Sequence, residues 1–218
     1  MNESIFLLQI LMIVLFSFGA LKLGKEALIA LVGLQALMAN LFVLKQVAFL
    51  GFHVTCSDAF AIGSILCLNL LREYYGKESS QKALKICFFI LLFFVLLSEV
   101  HLLYRPTAQD TAHAAYHAIL SSSPRLLLVS LATFFLVQKL DLSLFQLFKR
   151  APLTFRSHFS LIVCQLVDTL FFSFFGLYGL VESISDIIIL SFLIKLLIIF
   201  CLTPITLFSR KLISNDAV

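Results

Sequence analysis

Seven apolar stretches run along the chain, separated by short polar segments: Ile5–Leu21, Ala27–Leu44, Val54–Leu71, Ile86–Tyr104, Leu126–Phe148, Phe159–Val181 and Ile187–Phe208. Each is close to the ~20 residues a helix needs to cross a ~30 Å hydrocarbon core. None alternates apolar and polar positions as a membrane barrel strand does. All seven are therefore predicted helices, the form in which a chain satisfies its own backbone hydrogen bonds in lipid. The third is the most polar, with Thr55, Ser57, Asp58, Ser64 and Asn69. A helix of that kind is expected to face protein or a cavity, not acyl chains. The pattern predicts an all-α polytopic membrane protein.

Composition strengthens that reading. Of 218 residues, 61% are hydrophobic and 13% charged, and mean hydropathy is +1.06. A soluble domain is nearer 45–50% apolar and about 25% charged. A soluble enzyme, a disulfide scaffold and a nucleic-acid-binding domain are excluded. The net charge of +4 matters through its placement. Segments after the odd-numbered spans hold Lys22, Lys25, Arg72, Lys77, Lys82, Lys85, Lys149, Arg150, Arg156, Arg210 and Lys211. Those on the opposite side hold Lys45, Arg105 and Arg125. Basic residues stay cytoplasmic, so the N-terminus is expected outside the cell (inner) membrane and the C-terminus in the cytoplasm. The first span has Glu3 and no Lys or Arg ahead of it, unlike a signal peptide.

Little suggests metal chemistry. Cys56, Cys67, Cys87, Cys164 and Cys201 lack CxxC spacing and read as small apolar fillers. His113 and His117 would share a helix face in the loop Arg105–Pro124, with no third ligand nearby in sequence. No metal and no cofactor are expected. The stretch Glu73–Lys85 reads as a charged connection, helical in its second half.

Ionisable residues at bilayer depth default to paired or functional roles. Asp168 is nearly central in the sixth span, with Gln165 three residues earlier on the same face. At 1.5 Å per residue it lies about 14 Å from one end of its helix, and Lys195 about 12 Å from the other end of the seventh. In a ~30 Å core the two fall within a lysine's reach. Either an Asp168–Lys195 pair locks two helices or it marks a substrate or coupling-ion site. Glu99, with His101 nearby, is a further candidate. No serine-hydrolase, HExxH or GxxxxGK[ST] pattern is present, so an enzyme is not expected. A channel, a transporter or the membrane subunit of a larger machine remains.

At this point a family resemblance emerges. NLLREYYGKESSQKAL, beginning at Asn69, resembles the Asp-x-x-x-Glu-x-Tyr-Gly-Lys segment of the queuosine-precursor transporters, or VUT family. Arg125, Ser130, Gln138, Asp141 and Phe145 stand in family-like places, as do Ser160, Gln165, Asp168, Thr169 and Phe172, then Lys195 and Pro204. The likeness covers roughly Ala27–Phe208. Asn69 replaces the family's acidic residue, and Ala61–Ile62 its usual Phe-Pro.

The resemblance implies a six-helix transporter core over residues 27–208, an added N-terminal transmembrane helix and loop over 1–26, and a cytoplasmic tail over 209–218. It implies import of a 7-deazaguanine (preQ0, preQ1 or queuine) for tRNA modification. A carboxylate can accept the paired N–H and NH2 of a guanine-like edge in bidentate fashion. Asp168, Gln165, Lys195, Asn69, Glu99 and Phe172 are the expected binding residues. Glu73, Tyr75, Gly76 and Asp141 are the expected gating residues, with Gly76 as a left-handed helix stop. Expected partners are the nucleobase, the lipid bilayer and a coupling proton or sodium ion, with no nucleic acid; a homodimer stays open. The alternative is the substrate-binding subunit of an energy-coupling-factor importer.

Overall fold

The first helix shows how this chain is solvated. In α1 (Asn2–Leu23) the inward positions are Ile13, Ser17, Ala20 and Leu21, whereas Leu7, Leu8, Leu11, Leu15 and Phe16 are exposed. Large apolar side chains outside are those of a helix that meets lipid, while the small Ser17 and Ala20 inside let neighbouring helices approach closely. The structure is a computed structural model that describes residues 1–55, 57–148 and 153–196. Cys56, Lys149, Arg150, Cys201, Pro204, Arg210 and Lys211, singled out above, lie outside those residues.

Gly24 alone separates α1 from α2 (Lys25–Phe42). The next element departs from the all-helical expectation. Gln46–Phe49 (β1) and Phe52–Thr55 (β2) pair antiparallel, in register Gln46↔Thr55 to Phe49↔Phe52, around a two-residue turn at Leu50–Gly51. Both turn residues have positive φ, 50° and 84°, the twist such hairpins require. The third predicted span therefore starts at Asp58, and Val54 and Thr55 belong to a strand.

The third helix, α3 (Asp58–Leu102), runs for 45 residues. At 1.5 Å per residue a straight helix of that length would be twice the bilayer core. Gly76 resolves the conflict with φ 82°, ψ 166°, a region open only to glycine. The expected left-handed stop is thus a different glycine conformation, and the expected loop Glu73–Lys85 is helix on both sides of it. Both arms contribute to one core: Leu66, Cys67, Leu70 and Leu71 from residues 58–75, and Ala83, Cys87, Leu91 and Val95 from residues 77–102. Ala20, Leu21, Leu28 and Val32 of α1 and α2 complete it.

A short helix α4 (His113–Leu120) leads to α5 (Ser123–Leu147) and α6 (Leu153–Phe171). The sixth helix continues as a π-helical segment, Phe172–Leu177. Residues 184–196 form a last described helix, α7. Among the described residues α1, α2, α3 and Phe159–Leu177 are long and apolar enough to cross a membrane. Apart from the hairpin, the protein is an all-α polytopic membrane protein.

Candidate functional site

The hairpin decides where α3 begins. Its turn is held at the start of α1: Asn2 Nδ2 donates to the Ala48 carbonyl at 2.8 Å, and the Leu50 N–H to Glu3 Oε1 at 3.3 Å. Phe6 and Phe49 meet edge to face, centroids 5.2 Å apart. The other end is tied to the segment entering α7. The Glu182 N–H donates to Gln46 Oε1 at 2.9 Å and the His53 N–H to Asp186 Oδ2 at 3.3 Å, with His53 Nδ1 3.3 Å from Glu182 Oε2. Non-helical backbone beside membrane-crossing helices needs such partners, since lipid offers none.

Because the hairpin takes up the first part of the path, Asp58 starts α3 below the hairpin end of the bundle. Its level is set by α7. Ser191 Oγ lies 2.9 Å from Asp58 Oδ1 and 3.0 Å from Oδ2. Ser191 is seven residues into α7, roughly 10 Å down the helix at 1.5 Å per residue. One turn further, on the same face, Lys195 Nζ donates to Asp168 Oδ2 at 2.6 Å and to Thr169 Oγ1 at 3.0 Å. Three helices thus meet in one polar cluster. Asp58 is 8% exposed and Thr169 3%; the Lys195 side chain is 12% exposed and that of Asp168 36%. The cluster is enclosed yet open at Asp168.

The depth argument from sequence anticipated the Asp168–Lys195 contact. It missed Asp58 and Ser191. The available signal was Asp58 itself, an ionisable residue in the most polar span, but placing that span's start at Val54 hid its position at a helix terminus. A helix that starts inside the bundle turns its positive end toward whatever sits there, an arrangement used by transporter binding sites.

The other predicted residues scatter. Gln165 is half-buried on α6, one turn before Asp168. Asn69 is half-buried on α3, eleven residues and just over three full turns below Asp58, hence on the same face. Phe172 packs with Leu126, Leu177 and Ile187 in a small apolar core, while Phe174 and Phe175 are exposed. Arg125 Nε donates to the Phe175 carbonyl at 2.9 Å and so ties α5 to the π-helical segment. Glu99 is exposed on the second arm of α3, and among the described residues no hydrogen bond joins it to the cluster. Glu73, Tyr75 and Gly76 sit together at the reversal of α3; Asp141 falls near the end of α5.

Cys67, Cys87 and Cys164 are buried and not joined in disulfides. His113 and His117 stand on one face of α4 with ring centroids 6.2 Å apart. Among the described residues no three potential ligands gather for a metal.

Residues 58–209 match the family described as putative vitamin uptake transporter. The match begins at the residue where α3 does. Over 201 residues the chain is 29% identical to a probable queuosine precursor transporter of Bacillus subtilis (strain 168), covering 88% of this chain and 87% of that protein. No solved structure matches the chain.

Proposed function

The chain belongs to the vitamin uptake transporter family, and on that premise we propose that it imports a queuosine precursor, a 7-deazaguanine, with Asp168 as its acceptor. The observation that carries this reading is the cluster itself: a carboxylate held at 2.6 Å by a lysine, open on one side, inside a membrane bundle. A guanine-like edge offers an N–H and an NH2 side by side, which one carboxylate accepts together. Gln165, one turn away, can read the neighbouring carbonyl. Asn69 lies deeper on the Asp58 face of α3, along the route a cargo would follow inward. Glu99 stands outside this site.

The hairpin serves as the lid. It lies between the cluster and the end of the bundle poor in basic residues, the end expected outside from the sparse Lys and Arg there. Opening to that side parts β1 and β2 from Glu182 and Asp186 while their contacts to α1 persist. At the other end the Gly76 reversal, with Glu73 and Tyr75, supplies a hinge for the inward-facing state.

Purified chain in liposomes, given labelled preQ0, preQ1 or queuine, is expected to accumulate at least one of them without any partner protein. If none enters, while co-purified ATPase and coupling subunits restore uptake, the chain is instead the binding subunit of an energy-coupling-factor importer.

A further inference from the structure

We infer that the site prefers deazaguanines whose 7-substituent is a charged alkylammonium over neutral ones, and that Asp58 is the residue that reads this charge. The inference rests on Asp168 being the cargo's acceptor. Of the three cargoes, preQ1 carries an aminomethyl group and queuine a secondary amine, both protonated near pH 7 as a lysine is. The preQ0 nitrile is neutral.

The charges of the bundle leave a place for such a cation. From Asp58 to Leu71 and from Phe159 to Ser209 the chain holds four acids, Asp58, Asp168, Glu182 and Asp186, and one base, Lys195. That ammonium is committed at 2.6 Å to Asp168, and its charge also acts on Asp58. Asp58 is left with Ser191, whose Oγ lies 2.9 and 3.0 Å from its two oxygens, one hydrogen shared between both. Such a three-centre bond suits an ionised carboxylate, as does the positive end of α3 where Asp58 stands. Neither brings a whole positive charge. With both carboxylates ionised the cluster holds one negative charge in excess, and an unbalanced charge at this depth is strongly disfavoured. A cationic cargo balances it, whereas a neutral one does not.

The spacing agrees. Ser191 and Lys195 hold the two carboxylates from consecutive turns of α7, about 6 Å apart along the axis. In a 7-deazaguanine the N–H and NH2 that meet Asp168 lie on the six-membered ring, and the ammonium arm on the five-membered one. One cargo thus addresses both charges. Asp58 is 8% exposed, and contact is not required of it, because inside the bundle its field crosses several ångströms with little screening. The way in has the same sign. Glu182 Oε2 and Asp186 Oδ2, each 3.3 Å from a nitrogen of His53, edge the seam that parts when the hairpin opens. Carboxylates at a mouth draw cations inward.

The test is calorimetric titration of the full purified chain at pH 7 with preQ1, its uncharged 7-hydroxymethyl analogue of the same size, and preQ0. Wild type is expected to bind preQ1 on the order of 100-fold tighter than the hydroxymethyl analogue, the attraction of one carboxylate for one ammonium across ~6 Å at an effective dielectric of about 20. Asp58→Asn should bring the two within a few-fold by weakening preQ1 alone, with the hydroxymethyl analogue and preQ0 little changed. Asp58→Ser, equally uncharged and smaller, takes its place should the first variant not fold. Equal binding of preQ1 and the hydroxymethyl analogue in wild type, or a preference for preQ1 that survives in the uncharged variants, overturns the inference and leaves Asp168 as acceptor. If wild type binds none of the probes, the reading of Asp168 fails first and this inference falls with it.

Discussion

Among the described residues two buried polar clusters stand out, and they are built differently. One joins α3, α6 and α7 through Asp58, Ser191, Lys195, Asp168 and Thr169 and contains three ionisable groups. The other lies where α1, α2 and α3 meet: Cys67 Sγ donates to Ser17 Oγ at 3.3 Å, Ser17 Oγ to the Ile13 carbonyl at 2.8 Å, and Gln35 turns toward Gly63. It is neutral, with Ser17 and Cys67 fully buried and Gln35 3% exposed. Neutral hydrogen bonds between membrane helices average only about 0.6 kcal/mol. Breaking a buried ion pair by removing one partner costs about 3–5 kcal/mol. A neutral cluster suffices to hold helices together. The charged one is far more than packing requires, and it is the one that opens at Asp168.

Substitutions can pull the two apart. Asp168→Asn is expected to produce the largest effect: uptake is lost while the chain still inserts and purifies, and the unpaired Lys195 lowers its melting temperature. Truncating a partner in a buried charged network costs about 2–5 kcal/mol, or roughly 30- to 4000-fold in affinity at 1.4 kcal/mol per decade. Liposome flux per folded molecule reads this out, and near-normal flux would place cargo elsewhere.

Gly63→Ala should leave uptake intact. A Cβ there would lie 2.4 Å from Gln35 Oε1 and from Ile13 Cγ2, and overpacking of this kind typically costs about 1–3 kcal/mol. The melting temperature should fall while transport per folded molecule holds; a loss of transport at unchanged melting temperature would join the neutral cluster to the site. Ser17→Ala comes next, with a loss of at most about 1.7 kcal/mol and no change in transport.

Glu99→Gln is expected to alter neither uptake nor melting, since Glu99 is exposed on the second arm of α3. A marked drop in uptake would return it to the site.

The comparison also shows what a sequence of this type discloses. The helices were legible because lipid imposes a length and an apolar composition on each. The Asp168–Lys195 contact was legible because helix rise converts residue count into depth. The hairpin was not. Its strands are four residues each, they merge with flanking apolar runs, and their turn is Leu50–Gly51 rather than an Asn-Gly signal. Asp58 was hidden with it, because a helix that begins inside the bundle looks in sequence like the middle of a longer span. The charges from Arg72 to Lys85 suggested a loop, whereas they decorate two helical arms that Gly76 joins without one.

The central claim is that Asp168 receives cargo instead of merely pairing with Lys195. The most direct measurement is uptake by the Asp168→Asn/Lys195→Met double variant, beside its melting temperature. Removing both charges relieves the unpaired lysine, so stability should recover toward wild type. The account predicts that uptake stays lost, because no carboxylate remains to accept the cargo's N–H groups. Recovery of uptake together with stability would make Asp168–Lys195 a structural lock and remove Asp168 from the binding site.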